Sequence, residues 1–165
     1  MRSSNASIAR SLSKGHIATL IVAICLLASC ATDTVYYHFL QIAEEGWDKR
    51  DTLLFRIDTL VQEGDYDATL CLRTDAAYPY RNLSVKTVLT VRPHNASDAR
   101  RMDFCIVNPD GTANGDGITF RSHEKDICTI HLAPGDSLTV KVAHNMRKET
   151  MPGVRDVGIK ITRKQ

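Results

Sequence analysis

The sequence predicts an all-β fold, an antiparallel β-sandwich of about eight strands and of jelly-roll type, from two observations. Short segments of alternating apolar and polar residues recur between residues 35 and 161, separated by clusters of Gly, Pro, Asn and Asp. Almost no segment after residue 30 shows a helical period. Such alternation is typical of antiparallel sheets with one wet face, because buried parallel strands form continuous apolar runs. The pattern leaves an immunoglobulin-like strand order open.

The strands are predicted one by one from period-two alternation. In 66–73, for example, the even positions are Tyr, Ala, Leu and Leu, while the odd positions are mostly polar. Turns are predicted at 63–65, 93–98 and 134–136, and the Gly/Asn/Asp-rich segment 108–117 is predicted to be a long hairpin loop. The predicted strands are 35–39, 53–57, 66–73, 85–91, 102–106, 127–132, 138–142 and 157–161, with a short edge piece at 118–120. Segments 42–47 and 149–152 could each hold one helical turn.

The N-terminus has the order of a lipoprotein signal peptide. Arg2, Arg10 and Lys14 form a positive region without acidic residues, and 17–27 is a mostly apolar run of 11 residues. That run is too short for a membrane-spanning helix. Ala28-Ser29-Cys30 follows and matches a lipobox, in which the cysteine thiol receives the lipid. We therefore expect a signal peptide at 1–29, a lipidated N-terminus and short tether at 30–34 with lipid on Cys30, and a single β-sandwich domain at 35–165.

Charge and tether length set expectations about partners. The chain has 21 Lys+Arg and 19 Asp+Glu, and removal of the three basic residues in 1–29 leaves 18 against 19, a net charge near −1. This balance excludes the basic footprint of a nucleic-acid-binding protein. The tether of about four residues spans roughly 14 Å when extended, so we expect the domain to work close to a membrane. Residues 31–34 lack the acidic run used for surface export, which predicts that the domain faces the periplasm. We expect the anchor in the outer membrane, and the sequence leaves the inner membrane open.

Motifs for catalysis are not found, and no cofactor or metal is expected. The chain contains no G-x-S-x-G, H-E-x-x-H or phosphate-binding loop. The loop starting at Asp110 superficially fits a calcium loop, but its twelfth position is Arg121 rather than a carboxylate, so a hairpin loop is favoured. Cys71, Cys105 and Cys128 lie in apolar runs without paired spacing and are predicted to be buried small hydrophobic residues, with at most one disulfide among them.

Few aromatic residues are present, and three of them lie in predicted loops. Trp47 is in a charged loop, and Tyr78 and Tyr80 flank a proline that stiffens another. Exposed rings at these positions would form a protein- or glycan-contact surface. The alternative is that they cover the end of the sandwich core. A carbohydrate-binding lipoprotein is therefore the second functional hypothesis, and it requires exposed rings.

Several segments together resemble one family over essentially the whole mature chain. They follow the lipobox in the order 36–39, 45–49, 51–53, 66–73, 78–83 and 152–160. The chain is similar to the gliding motility-associated lipoprotein GldH family of Bacteroidetes. This resemblance implies a non-catalytic cell-envelope lipoprotein whose partners belong to the gliding-motility machinery, which is linked to type IX secretion.

The residues singled out by composition and by the resemblance form one candidate interaction surface. Its members are Trp47, Arg73, Tyr78, Tyr80 and Asn82. The guanidinium of Arg73 offers five donors suited to a carboxylate or to loop carbonyls. The alternative role of Arg73 is to brace the 78–82 loop against the sheet.

Overall fold

A computed structural model of the protein describes residues 33–60 and 62–164, and the predicted signal peptide and Cys30 lie outside them. Within the described ranges the secondary structure is strand and turn, without helix. The strands are β1 (Thr34–Gln41), β2 (Trp47–Asp48), β3 (Leu53–Ile57), β4 (Gly64–Thr74), β5 (Asn82–Arg92), β6 (Ala96–Cys105), β7 (Arg121–Leu132), β8 (Ser137–His144), β9 (Thr150–Met151) and β10 (Val154–Arg163). No helix long and apolar enough to cross a membrane occurs in the described part of the chain.

Two four-stranded antiparallel sheets face each other. Sheet I has the order β1-β10-β4-β7, sheet II has the order β3-β8-β5-β6, and β2 and β9 form a short separate ladder. The pairing is nested about the β5–β6 hairpin: β4 pairs with β7, β3 with β8, and β1 with β10. These nested pairs fall alternately in the two sheets, which is the jelly-roll arrangement. The structure thereby selects between the two strand orders that the sequence left open.

The core lies between the inner faces of the two sheets, as the alternation predicts. On β4, Tyr66, Leu70 and Leu72 are buried inward. They meet the inward side chains of sheet II, which include Phe55, Leu89 and Val140. Burial of such side chains contributes about 1.5–3 kcal/mol each, which makes this layer the main source of stability.

Eight strands of five or more residues confirm the predicted sandwich, but three local predictions are wrong. Segment 118–120 is an exposed bend rather than an edge strand. Segments 42–47 and 149–152 contain no helical turn, because Trp47 and Asp48 instead pair with Met151 and Thr150. β6 and β7 each begin six residues earlier than predicted, β6 at Ala96 inside the predicted 93–98 turn and β7 at Arg121, since their first halves are rich in polar and charged residues.

The sandwich has two distinct ends. At one end, the Asp33 carbonyl accepts a hydrogen bond from the Arg163 amide (2.8 Å), and the Leu60 amide donates to the Asp136 carbonyl (2.9 Å). We call this the Asp33 end. The opposite end, here the loop end, consists of segments 42–52, 75–81, 106–120 and 145–153.

Candidate interaction surface

Backbone hydrogen bonds join the segments of the loop end into one ordered surface. The Ile42 amide donates to Arg155 (2.8 Å), and the Ile106 amide donates to Arg81 (2.8 Å). The Asp75 amide donates to the carbonyl of Gly153 (2.9 Å). Of the five residues predicted to form an interaction surface, Trp47, Tyr78, Tyr80 and Asn82 all lie at this end. Four of the five predicted residues thus lie together at one end of the sandwich, although their surroundings differ.

Trp47 is a core residue and presents no ring face to solvent. Its exposed fraction is 0%, and its indole N–H donates to the Asp51 carbonyl at 3.1 Å. The ring meets His144 edge-on, with centroids 5.5 Å apart. Burial lowers the pKa of His144 below its ordinary value of 6.5, which keeps the imidazole neutral beside the indole. The expectation of an exposed Trp47 is wrong because the β2–β9 ladder folds its loop over the core.

Tyr78 closes the same end of the core beside Tyr80. It is 6% exposed, its hydroxyl donates to the Asn82 carbonyl at 2.9 Å, and its ring contacts Tyr80 edge-on at 5.8 Å. Burial raises the pKa of the Tyr78 hydroxyl. Tyr80 is half-buried and Asn82 is exposed, so these two still offer polar edges to a partner. The alternative that the tyrosines cover the core holds for Tyr78.

The carbohydrate hypothesis fails on these observations. Stacking on sugar rings requires the faces of Trp47, Tyr78 and Tyr80 to be exposed together. Trp47 and Tyr78 are buried against the core, so the described structure has no such aromatic platform.

Arg73 lies on the outer face of sheet I and not against the 78–82 loop. Its guanidinium carbon is 4.1 Å from the centroid of the Phe39 ring, and its Nη1 is 3.7 Å from the Asp156 carboxylate. The neighbouring loop is held instead by an ion pair between Arg155 and Asp75. Arg73 therefore lies in an aromatic and charged cluster on the sheet, and its role toward a partner stays a prediction.

The most exposed apolar groups of the loop end were missed by sequence reasoning. Ile118 is 99% exposed and Phe120 is 45% exposed. They belong to a tight turn that requires Gly117, whose φ is +113° and where a Cβ would lie 2.2 Å from the Phe120 carbonyl oxygen. We call residues 117–120 the apolar tip. The sequence signal for this exposed turn is the presence of two bulky apolar residues in a glycine-rich loop. Their three-residue alternation instead predicts a short edge strand.

An open cleft of about 580 Å³ lies beside the apolar tip. Phe120 forms an apolar part of its wall, and Glu44, Asp75 and Asp156 supply carboxylates with Arg155 as the cation. Asp75 is paired with Arg155 and Asp156 lies near Arg73, so the cleft beside the apolar tip is polar and largely charge-balanced. An apolar tip next to a polar cleft suits a protein partner with an apolar pocket and a polar rim.

The loop from 108 to 116 is braced by its own side chains. The Asp110 carboxylate accepts hydrogen bonds from the amide and hydroxyl of Thr112, at 2.9 and 2.6 Å, which lowers its pKa. Among the residues that the structure describes, no group of three or more His, Cys, Asp and Glu side chains is arranged to hold a metal.

The three cysteines that the structure describes are free thiols with different environments. Cys71 is 2% exposed on the outer-facing side of β4, Cys128 is half-buried and Cys105 is exposed. The expectation of three buried cysteines is therefore wrong for Cys105, which lies at the last position of β6 with its side chain toward solvent.

Fold and loop end together define a jelly-roll β-sandwich that gathers its irregular segments and its most exposed apolar tip at one end. The family described as GldH lipoprotein matches residues 34–161. The chain belongs to this family, which is a family of gliding-motility lipoproteins and not a known enzyme family.

Individual relatives agree with this assignment. The gliding motility lipoprotein GldH of Flavobacterium johnsoniae is 24% identical over 152 residues, which cover 88% of this chain and 94% of that protein. Solved structures with some likeness include a family 35 carbohydrate-binding module from Clostridium thermocellum, with a TM-score of 0.42, 12% identity and coverage of 78% of this chain and 99% of that one. Eiger TNF from S. frugiperda has a TM-score of 0.36 and 9% identity, over 78% and 93% of the two chains. No ligand or activity follows from such distant structures.

Proposed function

We propose that this protein is a non-catalytic docking module of the cell envelope, anchored by lipid on Cys30 and bound to the machinery of gliding motility and type IX secretion. The observation that carries the proposal is the apolar tip, where Ile118 is 99% exposed. Ile118 and Phe120 are exposed two positions apart on one ordered turn, and neighbouring exposed apolar side chains on loops are typical of protein-binding sites.

The orientation that a lipid on Cys30 would give the sandwich relative to the membrane supports the docking role. Cys30 precedes Asp33 by three residues, which span about 10 Å when extended. A lipid on Cys30 would therefore hold the Asp33 end near the membrane. The strands between the two ends have up to 12 residues, or roughly 40 Å. The apolar tip would then point away from the membrane, toward proteins of the same compartment.

The test is complementation of a deletion strain with tip variants. Ile118→Asp should abolish co-purification of gliding or secretion proteins from solubilised membranes and impair secretion. An interface hot spot contributes about 2 kcal/mol or more, so burying a charge there should weaken binding more than tenfold. Thr59→Asp is the matched control, because it adds the same charge at an exposed position of the opposite, Asp33 end, outside the apolar tip. Normal motility and secretion in the deletion strain itself, with no envelope partner recovered, would refute the docking role.

We further propose that the protein faces the periplasm from the outer membrane. Residues 31–34 carry one acidic residue and no acidic run, so the mature N-terminus lacks a surface-export pattern. Protease should spare the protein on intact cells and digest it once the outer membrane is opened. Digestion on intact cells would place it on the surface, and failure of Cys30→Ser to abolish palmitate labelling would exclude the anchor.

A further inference from the structure

The outer edge of β1 differs from the other three sheet edges of the sandwich. β1 is the terminal strand of sheet I, and no strand among the described residues pairs with its second edge. Its pairing with β10 is regular from Tyr36 to Gln41. In an antiparallel ladder alternate residues direct both N–H and C=O away from the partner strand. The free edge of β1 thus presents a regular row of backbone donors and acceptors.

Proteins normally protect such an edge with charged residues, proline, bulges or short length. The three other edges have these protections. β3 has five residues and includes Arg56, and β6 carries two arginines and two aspartates. β7 has a bulge opposite Ala68 and Thr69, and Lys125 bridges it to the Asp103 carbonyl of β6 at 2.9 Å.

β1 has none of these protections along its regular part. Its sequence, TVYYHFLQ, contains no Asp, Glu, Lys, Arg, Pro or Gly. Its one irregularity lies between Thr34 and Tyr36, at the Asp33 end. Val35 and Tyr37 are 46% and 53% exposed. The exposed side chains of this edge are largely apolar or aromatic, with His38 as its one basic residue, so the edge is open to another strand.

We infer that β1 accepts, as an added strand, an extended segment of another envelope protein. The side chains of that segment would alternate between two surroundings. On the outer face they would continue the Tyr37–Phe39 pair, whose rings meet edge-on at 5.2 Å. On the inner face they would lie beside Tyr36 and Leu40, which are packed against the core but only partly buried. The segment recognised is thus rich in β-branched or aromatic residues.

Chain geometry favours a different protein over a second copy, and this step rests on the Cys30 anchor of the proposed function. Symmetric antiparallel pairing of two β1 strands would place their Asp33 residues at opposite ends, roughly 27 Å apart for eight residues. The link from Asp33 to Cys30 reaches only about 10 Å. With the loop end directed away from the membrane, one of the two lipids could not reach the bilayer. A strand from another protein carries no such constraint.

The experiment uses the full chain in its native envelope, with a benzoyl-phenylalanine photo-crosslinker in place of Tyr37 or, separately, Phe39. We expect both positions to crosslink to one segment of one protein, at residues two apart, as neighbouring strands require. An adduct with the mass of two copies of this chain, crosslinks scattered over unrelated segments, or no adduct would overturn the inference.

Charge variants show whether the edge itself is used. Tyr37→Lys should reduce the adduct formed from position 39 at least tenfold, and Leu54→Lys on the edge strand β3 should leave it unchanged. Val35→Lys replaces Tyr37→Lys if the latter lowers the thermal midpoint. An unchanged adduct in a folded β1 variant overturns the inference. The two proposals can fail separately, because co-purification of partners tests the apolar tip and the β1 crosslinks test the sheet edge. If Ile118→Asp abolishes co-purification while the β1 crosslinks persist, the two surfaces act independently.

Discussion

Gly153 lies against the backbone of Tyr78 so closely that a Cβ at position 153 would be 2.2 Å from the Tyr78 amide nitrogen. The φ of Gly153 is +76°, so both the backbone conformation and the space require glycine. This contact seats the 75–81 loop on the β9–β10 turn, where the Asp75 amide donates to the Gly153 carbonyl. The position of the 75–81 loop on this turn therefore depends on a residue without a side chain.

Gly153→Ala should lower the free energy of unfolding by about 3 kcal/mol or more, because it adds a steric clash to a strained φ. The measurement is urea unfolding of the β-sandwich domain, residues 33–165. Gly111→Ala is the matched control, since its φ is +86° and a Cβ there would meet nothing within 4 Å. The control should cost only about 1–2 kcal/mol, the penalty of the left-handed conformation alone. Equal losses for the two variants would contradict the role of the close approach.

Trp47 should act on stability and not on binding alone. Trp47→Ala removes a fully buried side chain, and large-to-small core changes of this type cost about 3–5 kcal/mol. Trp47→Phe should cost less, because it keeps a ring against His144 but loses the hydrogen bond to the Asp51 carbonyl. Ile118→Ala, at a fully exposed position, should change the free energy of unfolding by no more than about 0.5 kcal/mol. Thermal or urea unfolding checks all three, and an unaltered midpoint for Trp47→Ala would exclude a core role.

The contrast between Trp47 and the long strands shows which parts of the structure are readable from sequence. Strands such as β4 repeat the two-residue pattern often enough to reveal their inner face. Trp47 belongs to a two-residue ladder whose partner, Met151, is more than 100 positions away. The residues next to Trp47 in the sequence are mostly charged, so no local pattern indicates that its side chain is buried. Pairing over such a distance is decided by the tertiary fold and not by local preference.

The apolar tip illustrates a second limit. The three residues after Gly117 are too few to define a reliable period. The alternation of Ile118 and Phe120 therefore predicts a short strand although the segment forms a bend. Only the backbone geometry shows a turn that holds both side chains outward. The position of the candidate site at the loop end could thus be predicted from the aromatic residues, while the identity of its exposed groups could not.

Stability should fall as the pH is lowered from about 7 to 5.5. Burial lowers the pKa of both His144 and His123 below the ordinary value of 6.5. As the pH drops through 6.5 the unfolded chain binds protons at these positions before the folded chain does, so protonation favours unfolding. The loss is complete once the pH is below the folded-state pKa values.

Urea unfolding at pH 7.5 and 5.5 measures this dependence, and His144→Gln should make it shallower. His131 provides a control of opposite sign, because hydrogen bonding to Asp65 raises its pKa. A raised folded-state pKa adds stability at low pH, so His131→Gln should make the fall steeper. A dependence that is unchanged in both variants would show that other groups control it.

The three described thiols should react in the order Cys105, Cys128, Cys71. Cys105 is exposed at the end of β6, whereas burial raises the pKa of Cys128. Cys71 is 2% exposed, and burial next to the Glu124 carboxylate raises the pKa of its thiol from 9.0 to about 12. Because the thiolate is the reactive form, this raised pKa makes the Cys71 thiolate far scarcer at neutral pH. Cys71 should therefore be modified only when β4 opens.

Timed reaction with a disulfide reagent, on a chain that begins at residue 31, resolves these phases. Cys105→Ser should remove the fast phase and leave the slow ones, and Cys71→Ser should alter only the total released on unfolding. A Cys71 thiol that reacts as fast as that of Cys105 in the native protein would mean that the outer face of sheet I opens readily. The cover that Phe39 and Arg73 form on this face, with the guanidinium 4.1 Å from the ring centroid, would then be too weak to hold β1 in place while a guest strand binds its free edge.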